Sequence, residues 1–288
     1  MGYGDELMAI GDAWQVHLAD PQRRRVAIGD GVRRRLDYPE LTHGLDFIAS
    51  DAEVAAGGLP WVRSYRAWRP YHDHAAMRRL LHRRHPLRSL FGRRVPDTRL
   101  VDVLGFYRYR LDYRARPAPL VLTGPEQDLF EQWRQRRFIV IEPHAKAAAS
   151  PGKRWPFERY VDVARQLGSD IELHQLGAPD TPLLPGLTRL PTQRFRDALP
   201  YLKAAQLYIG PEGGLHHAAA AMNTRAVVLF GGYTPTSVTG YDFHVCLGGD
   251  AASACGVQHR ECPHCVAAMA AIDATTVVAH ARQLLAAR

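Results

Sequence analysis

Lysine is nearly missing from this chain: only three of its 37 lysine and arginine residues are lysines, at 146, 153 and 203. Cysteine is also scarce, with four residues, all between 246 and 265. That grouping in one short segment favours a metal over disulfides. No apolar run approaches the ~20 residues needed to span a bilayer, and no basic, apolar, small-residue leader opens the chain. The expectation is a cytoplasmic protein, with peripheral contact with a membrane surface left open. There is no GxGxxG segment, no Gly-Lys-Ser/Thr phosphate loop and no Asp-x-Asp pair. These absences exclude the usual dinucleotide and P-loop signatures.

The composition otherwise describes a globular protein, 46% hydrophobic and 23% charged over 288 residues. The net charge of +8 is unevenly placed. Residues 1–137 hold 24 arginines against 17 acidic residues, whereas 138–288 are close to balance. Two readings fit the arginine-rich half: a solvated surface, or a face that meets an anionic acceptor. Arg63, Arg66 and Arg69 alternate with Trp61, Tyr65, Trp68 and Tyr71. This stretch reads as an amphipathic packing element, with a sugar- or base-stacking surface as the alternative. No nucleic-acid-binding motif accompanies the charge, which argues against a nucleic-acid partner.

In the first half, 26–28, 47–49, 101–104 and 120–122 are expected to be strands, and 73–85 a basic helix ended by Pro86. The second half alternates more clearly. Strands are expected at 138–141, 171–176, 206–209 and 226–230, and helices at 156–167, 195–205 and 213–222. Alternation of this kind implies a parallel sheet covered on both faces. Ligands of such sheets sit beyond the carboxyl ends of the strands. The stretch Leu207-Tyr-Ile-Gly-Pro-Glu-Gly-Gly-Leu-His-His217 lies at that edge and reads strand, glycine turn, helix. Its free N–H groups and helix dipole suit an anion such as a diphosphate. Of the two histidines, His216 is the better candidate for packing and His217 for the site.

Cys262-Pro-His-Cys265 is a CxxC knuckle, with Cys255 seven residues earlier and Cys246 before it. Cys246, Cys255, Cys262 and Cys265 form a candidate set for structural zinc or iron. His244, His259 and His264 are alternatives to Cys246 as fourth ligand, and reduced thiols in a small-residue turn are the plain alternative to a metal.

Three segments together resemble the heptosyltransferase-like glycosyltransferases of family 9. They are Ile139-Val-Ile-Glu-Pro-His144 with Lys153-Arg-Trp-Pro156, then Gly210 to His217, then Val227-Val-Leu-Phe-Gly231 leading into Thr234-Pro235. Gly4-Asp5 with Leu7-Met-Ala-Ile10 extends the likeness to the first half. The resemblance implies an α/β protein of GT-B type, two Rossmann-like domains facing across a cleft. Here these would be an acceptor-side domain over 1–125, short or trimmed, and a nucleotide-sugar domain over 126–288 carrying the Cys-rich loop 246–265. It implies inverting sugar transfer from a nucleotide diphosphate sugar, ADP-heptose in the first instance, to a hydroxyl of an anionic glycan or lipopolysaccharide-type glycolipid. The implied donor positions are Lys153, Arg154, Glu212, Gly213, Gly214, Leu215, His217 and Thr234. The family usually has an acidic residue followed by threonine where this chain has Glu212 and Gly213, so a phosphate-contacting hydroxyl is lost. Asp5 matches the general base that takes the acceptor proton; a helix-capping role is its alternative. The missing Asp-x-Asp pair agrees with catalysis that needs no metal cofactor, the leaving group being stabilised by a helix dipole and basic side chains. Family members with cysteines in this region, some of them iron-binding, support the metal reading of the knuckle. A noncatalytic nucleotide- or sugar-binding relative is the alternative function, and a metal-stapled nucleic-acid binder a more distant one.

Overall fold

A computed structural model describes residues 2–65, 69–84, 108–145, 151–250, 254–257 and 260–287. The strand expected at 101–104 lies outside these residues, as do Arg66, Trp68 and His259. The first half opens with α1 (Tyr3–Ala19), whose residues Glu6 to Gly11 are all buried. It continues through β1 (Ala27–Gly29), α2 (Asp51–Ala56), β2 (Trp61–Arg63) and α3 (His74–Arg84). β1 and β2 pair in parallel, Ile28 opposite Val62.

Two expected strands of this half are not strands. Residues 47–49 contribute a single bridge, Ile48 to Val26. Residues 120–122 pair with no strand although Leu120 is buried in the core. The Leu120 N–H is spent on the Ala118 carbonyl at 2.9 Å, and the Val121 carbonyl accepts from Arg196 at 2.8 Å.

The second half begins with α4 (Gly124–Trp133), and the expected domain boundary at 125/126 falls in its first turn. There follow β3 (Phe138–Ile141), α5 (Phe157–Leu167), β4 (Glu172–Gln175), β5 (Thr188–Arg189), α6 (Leu199–Ala204), β6 (Leu207–Pro211), α7 (Gly214–Ala221), β7 (Ala226–Gly231), α8 (Thr236–Thr239), β8 (Val245–Gly248), α9 (Pro263–Ala270) and α10 (Ala274–Ala286). The helix expected over 195–205 divides into a 3-10 turn, Phe195–Ala198, and α6.

Among the described residues, the six strands of this half run parallel in the order β5-β4-β3-β6-β7-β8. The order reverses between β3 and β6, and a crevice forms at such a switch point. Every residue of β3, β6 and β7 is buried, which is why these strands read as unbroken apolar runs. Alternation sorts their side chains to two faces. Ile139, Ile141, Leu207, Ile209, Val227 and Leu229 pack with α5 and α10. Phe138, Val140, Tyr208, Val228 and Phe230 pack with α6, α7 and, beyond them, α1. One core is therefore continuous from α1 to the sheet. It depends on Gly4, where an added Cβ would lie 2.6 Å from the His217 ring.

Candidate active site

The turn after β6 places Glu212, Gly213 and Gly214 at the carboxyl end of the sheet, beside the switch point. Glu212 is 5% exposed and forms an ion pair with Lys153, itself 15% exposed. Lys153 ends the 3-10 turn Pro151–Lys153, and its ammonium also lies 4.8 Å from the centre of the Tyr233 ring. Burial alone would raise the Glu212 carboxyl. The charge of Lys153, then the hydrogen bond with His217, outweighs it and holds the group well below the carboxylate range. Glu212 is thus an anion at neutral pH, bound to a cation.

His217 is fully buried on the first turn of α7. Its Nε2 lies 3.6 Å from Glu212, and its Nδ1 lies 2.8 Å from the Tyr241 hydroxyl. His216 points away from the cleft, among Phe230, Tyr241 and His244. Neither of its ring nitrogens has a hydrogen-bond partner, and burial, then the neighbouring His217 and His244, keep it neutral.

Gly213 is extended, and a Cβ there would meet nothing within 4 Å. It leaves the cleft open at the helix start, where α7 offers unpaired N–H groups. Gly214 instead packs closely, with a virtual Cβ 3.1 Å from Phe195 and 3.3 Å from Tyr3. Leu215 and Thr234 line the same cleft, and the Thr234 hydroxyl lies 3.4 Å from that of Tyr109. Arg154 is exposed and does not line it, because the turn that aims Lys153 inward directs the next residue to solvent. Tyr241 serves His217 rather than the cleft, and Thr236 faces the Gly249 carbonyl at 3.4 Å.

The opposite wall is built from the first half. Asp5 sits in the first turn of α1 and lines the cleft, which encloses about 1560 Å³. One carboxylate oxygen accepts from the Gly2 N–H at 3.2 Å. The other accepts from the Tyr71 hydroxyl and faces Arg69 Nε at 3.6 Å. Asp5 therefore caps its helix and faces the cleft at once. Tyr3 is sandwiched between Tyr38 and Phe195, with centroids 3.8 and 4.0 Å away, and ties the two walls together.

Two cleft residues carried no signal specific enough to identify. Glu142 follows β3 at the switch point and accepts from Tyr208; burial pushes its carboxyl up to about 8. Its place directly after a buried strand was the available clue. Tyr71 was one of several aromatics in an arginine-rich stretch, and only folding brings it to Asp5, 66 residues away.

The cysteines divide. Cys255 lies 3.1 Å from Cys265 and 3.7 Å from Cys262, sulfur to sulfur. Cys246 does not join them: it is held in β8 opposite Val228, which corrects the expected four-cysteine set. His244 is likewise committed, with Nε2 3.0 Å from the Thr224 carbonyl. Among the described residues, two clusters have metal-ligating atoms close together: Cys255, Cys262 and Cys265, and Glu212, His216 and His217.

The family model of Glycosyltransferase family 9 (heptosyltransferase) matches residues 120–271, over half of the chain. The chain belongs to glycosyltransferase family 9. Its fold is similar to that of a family 9 glycosyl transferase from Veillonella parvula, at 12% identity and a TM-score of 0.58 over 99% of this chain and 94% of that one. It is also similar to Escherichia coli ADP-heptose lipopolysaccharide heptosyltransferase II, at 14% identity and a TM-score of 0.54 over 99% and 96%. A third likeness is to the iron-containing dodecameric glycosyltransferase TibC of enterotoxigenic E. coli, at 12% identity and a TM-score of 0.54 over 99% and 73%. No curated protein sequence matches. These structures share the GT-B fold with the family 9 chain described here, an α/β enzyme whose cleft is lined from both halves.

Proposed function

We propose that this enzyme transfers a glycosyl group, in the first instance heptose from ADP-heptose, to a hydroxyl of an anionic glycan or lipopolysaccharide-type acceptor, with inversion. One observation carries the reading: Asp5 lies on one wall of the cleft, and the Lys153, Glu212 and α7 N-terminus cluster on the other. The donor diphosphate would meet the α7 N–H groups and Lys153, and the departing phosphate charge would be spread over them. Asp5 would take the proton of the acceptor hydroxyl as its oxygen attacks the anomeric carbon. Glu212 lies close enough to the same point to meet a ribose or sugar hydroxyl once Lys153 turns to phosphate. Arg69 and the arginines of the first half suit a phosphorylated acceptor. The name of the heptosyltransferase above supports the donor class. We place the reaction in the cytoplasm.

The donor set bears on metals in two ways. At Glu212 the ammonium of Lys153 already neutralises the carboxylate, so a divalent cation would have to displace it; the chemistry proposed here needs none. The three thiols fit a metal better. Tetrahedral coordination with zinc–sulfur bonds of about 2.3 Å sets sulfurs roughly 3.8 Å apart; Cys255 and Cys262 at 3.7 Å match this, and Cys255 and Cys265 at 3.1 Å would have to move apart to receive the ion. A structural zinc or iron there would pin the loop after β8.

Calorimetric titration with ADP, UDP, GDP, CMP and dTDP, beside an Asp5→Asn variant, tests the reading. Tight binding of one nucleotide by both proteins, with turnover in the variant lowered roughly 10²–10⁴-fold, is the expected result. A protein that binds none of them is a noncatalytic relative, and the transferase reading fails.

A further inference from the structure

We propose that the Cys255, Cys262 and Cys265 knuckle positions Lys153, so that a thiolate-bound metal ion there sets the affinity of the enzyme for a nucleoside diphosphate. The inference rests on the readings above that the knuckle takes a metal and that Lys153 meets the donor diphosphate. Three contacts join the two places. Gly152, directly before Lys153, is buried against the knuckle, and a Cβ there would lie 3.0 Å from both Cβ and Sγ of Cys265. The Cys255 N–H donates to the Gly232 carbonyl at 3.0 Å, and the Gly256 N–H to the Tyr233 carbonyl at 3.2 Å. Tyr233 is in turn the ring over which the Lys153 ammonium stands.

The knuckle therefore touches the turn that carries the cation and the loop that cradles it. The α9 helix, with Cys262 as its cap and Cys265 in its first turn, adds a third support. Gly231, at φ 59°, would run into Met269 with any side chain, and Gly232 would approach the His264 ring to within 2.7 Å. With so little room, a shift of the knuckle passes to residues 231–234 and 151–153 rather than being absorbed between them. A bound metal fixes three sulfurs relative to one another and removes that freedom. Lys153, on a four-carbon stem, depends on its backbone for where its charge can reach.

The test uses the full chain in three states: as purified, stripped by chelation, and reloaded with zinc or cobalt. ADP, UDP and GDP are titrated into each, and circular dichroism follows the fold. Stripping is expected to leave the fold in place and weaken binding of the preferred nucleotide roughly tenfold, about the loss of one charge-assisted contact. Reloading restores it. Linkage requires that the nucleotide tighten metal binding by the same factor, read from the cobalt–thiolate absorption. Lys153→Ala should bind nucleotide weakly and be insensitive to the metal. Gly152→Ala, whose new methyl presses on Cys265, should lose nucleotide affinity.

Equal nucleotide affinity in stripped and loaded protein overturns this inference alone and leaves the transferase reading standing. Loss of the fold on stripping, or a metal effect undiminished in Lys153→Ala, overturns it as well. Wild-type protein that binds none of the three nucleotides sinks the donor reading and the inference together. A preparation without a cobalt–thiolate band sinks the metal reading and this one with it.

Discussion

Replacing Lys153 by alanine should destabilise the protein by an amount that depends on pH. The change removes the cation from Glu212, which is 5% exposed and charged in the folded protein. Breaking one side of a buried pair costs about 3–5 kcal/mol. His217, 3.6 Å away, can take up part of the lost role, so a value near the bottom of that range, about 3 kcal/mol, is expected. For a chain of this size that corresponds to a fall in Tm of roughly 5 °C at pH 7.

The sign with pH follows from the depressed carboxyl. A group whose folded pKa lies below its unfolded value stabilises above the unfolded value, 4.5 here, and that contribution fades as pH falls through the folded value. In the variant Glu212 can accept a proton instead of staying charged without a partner. The gap in Tm between wild type and variant should therefore be largest at pH 7–8 and shrink towards pH 4. Adding Glu212→Gln to the variant should recover most of the loss at pH 7. Differential scanning calorimetry of the three proteins across pH decides it. A Tm within 1 °C of wild type at pH 7, or a gap that widens in acid, would refute the argument that the pair is buried and coupled.

Further tests reach other parts of the cleft. Glu142 is raised to about 8 by burial, so the folded state holds a proton that the unfolded state has lost. Stability should fall as pH rises from about 4.5 to 8 through this group, and Glu142→Gln should flatten that slope in urea titrations. Gly213→Ala should leave Tm nearly unchanged, since a Cβ there meets nothing within 4 Å. It should nonetheless weaken nucleotide binding, which calorimetry would show; unchanged affinity would remove this turn from the donor site. Gly4→Ala should act the other way, costing stability because the new methyl meets the His217 ring at 2.6 Å.

Legibility differed between the two halves for a physical reason. In the second half β3, β6 and β7 are buried on both faces, so their sequence is continuously apolar and their ends are marked by glycine and proline. The expected strands and helices there lie within a few residues of the observed ones. In the first half, strands of three residues and a lone bridge carry little periodic signal. The segment 120–122 resembles a strand in composition, but its Leu120 N–H and Val121 carbonyl are bonded to Ala118 and Arg196 instead of to a strand. At the site, the glycine turn and His217 were visible because local spacing places them at a strand end and a helix start, whereas Lys153 was implied only by the resemblance to family 9. The partners of Asp5 and the exclusion of Cys246 were not visible, since they depend on which distant segments meet.

The sequence by itself determined that a parallel sheet would end in a glycine turn and a helix start suited to an anion. Backbone N–H groups and apolar alternation are local properties, written in runs of a few residues. Only the tertiary structure decided that Tyr71 would grip Asp5 across 66 positions, that Lys153 would neutralise Glu212 across 59, and that three cysteines rather than four would meet. Those outcomes follow from how α1 docks on α7, where a glycine lets two helix starts approach, and from how α9 fits beneath the 231–234 loop. Such close packing is a property of surfaces brought together by the fold, and no short stretch of the chain contains it.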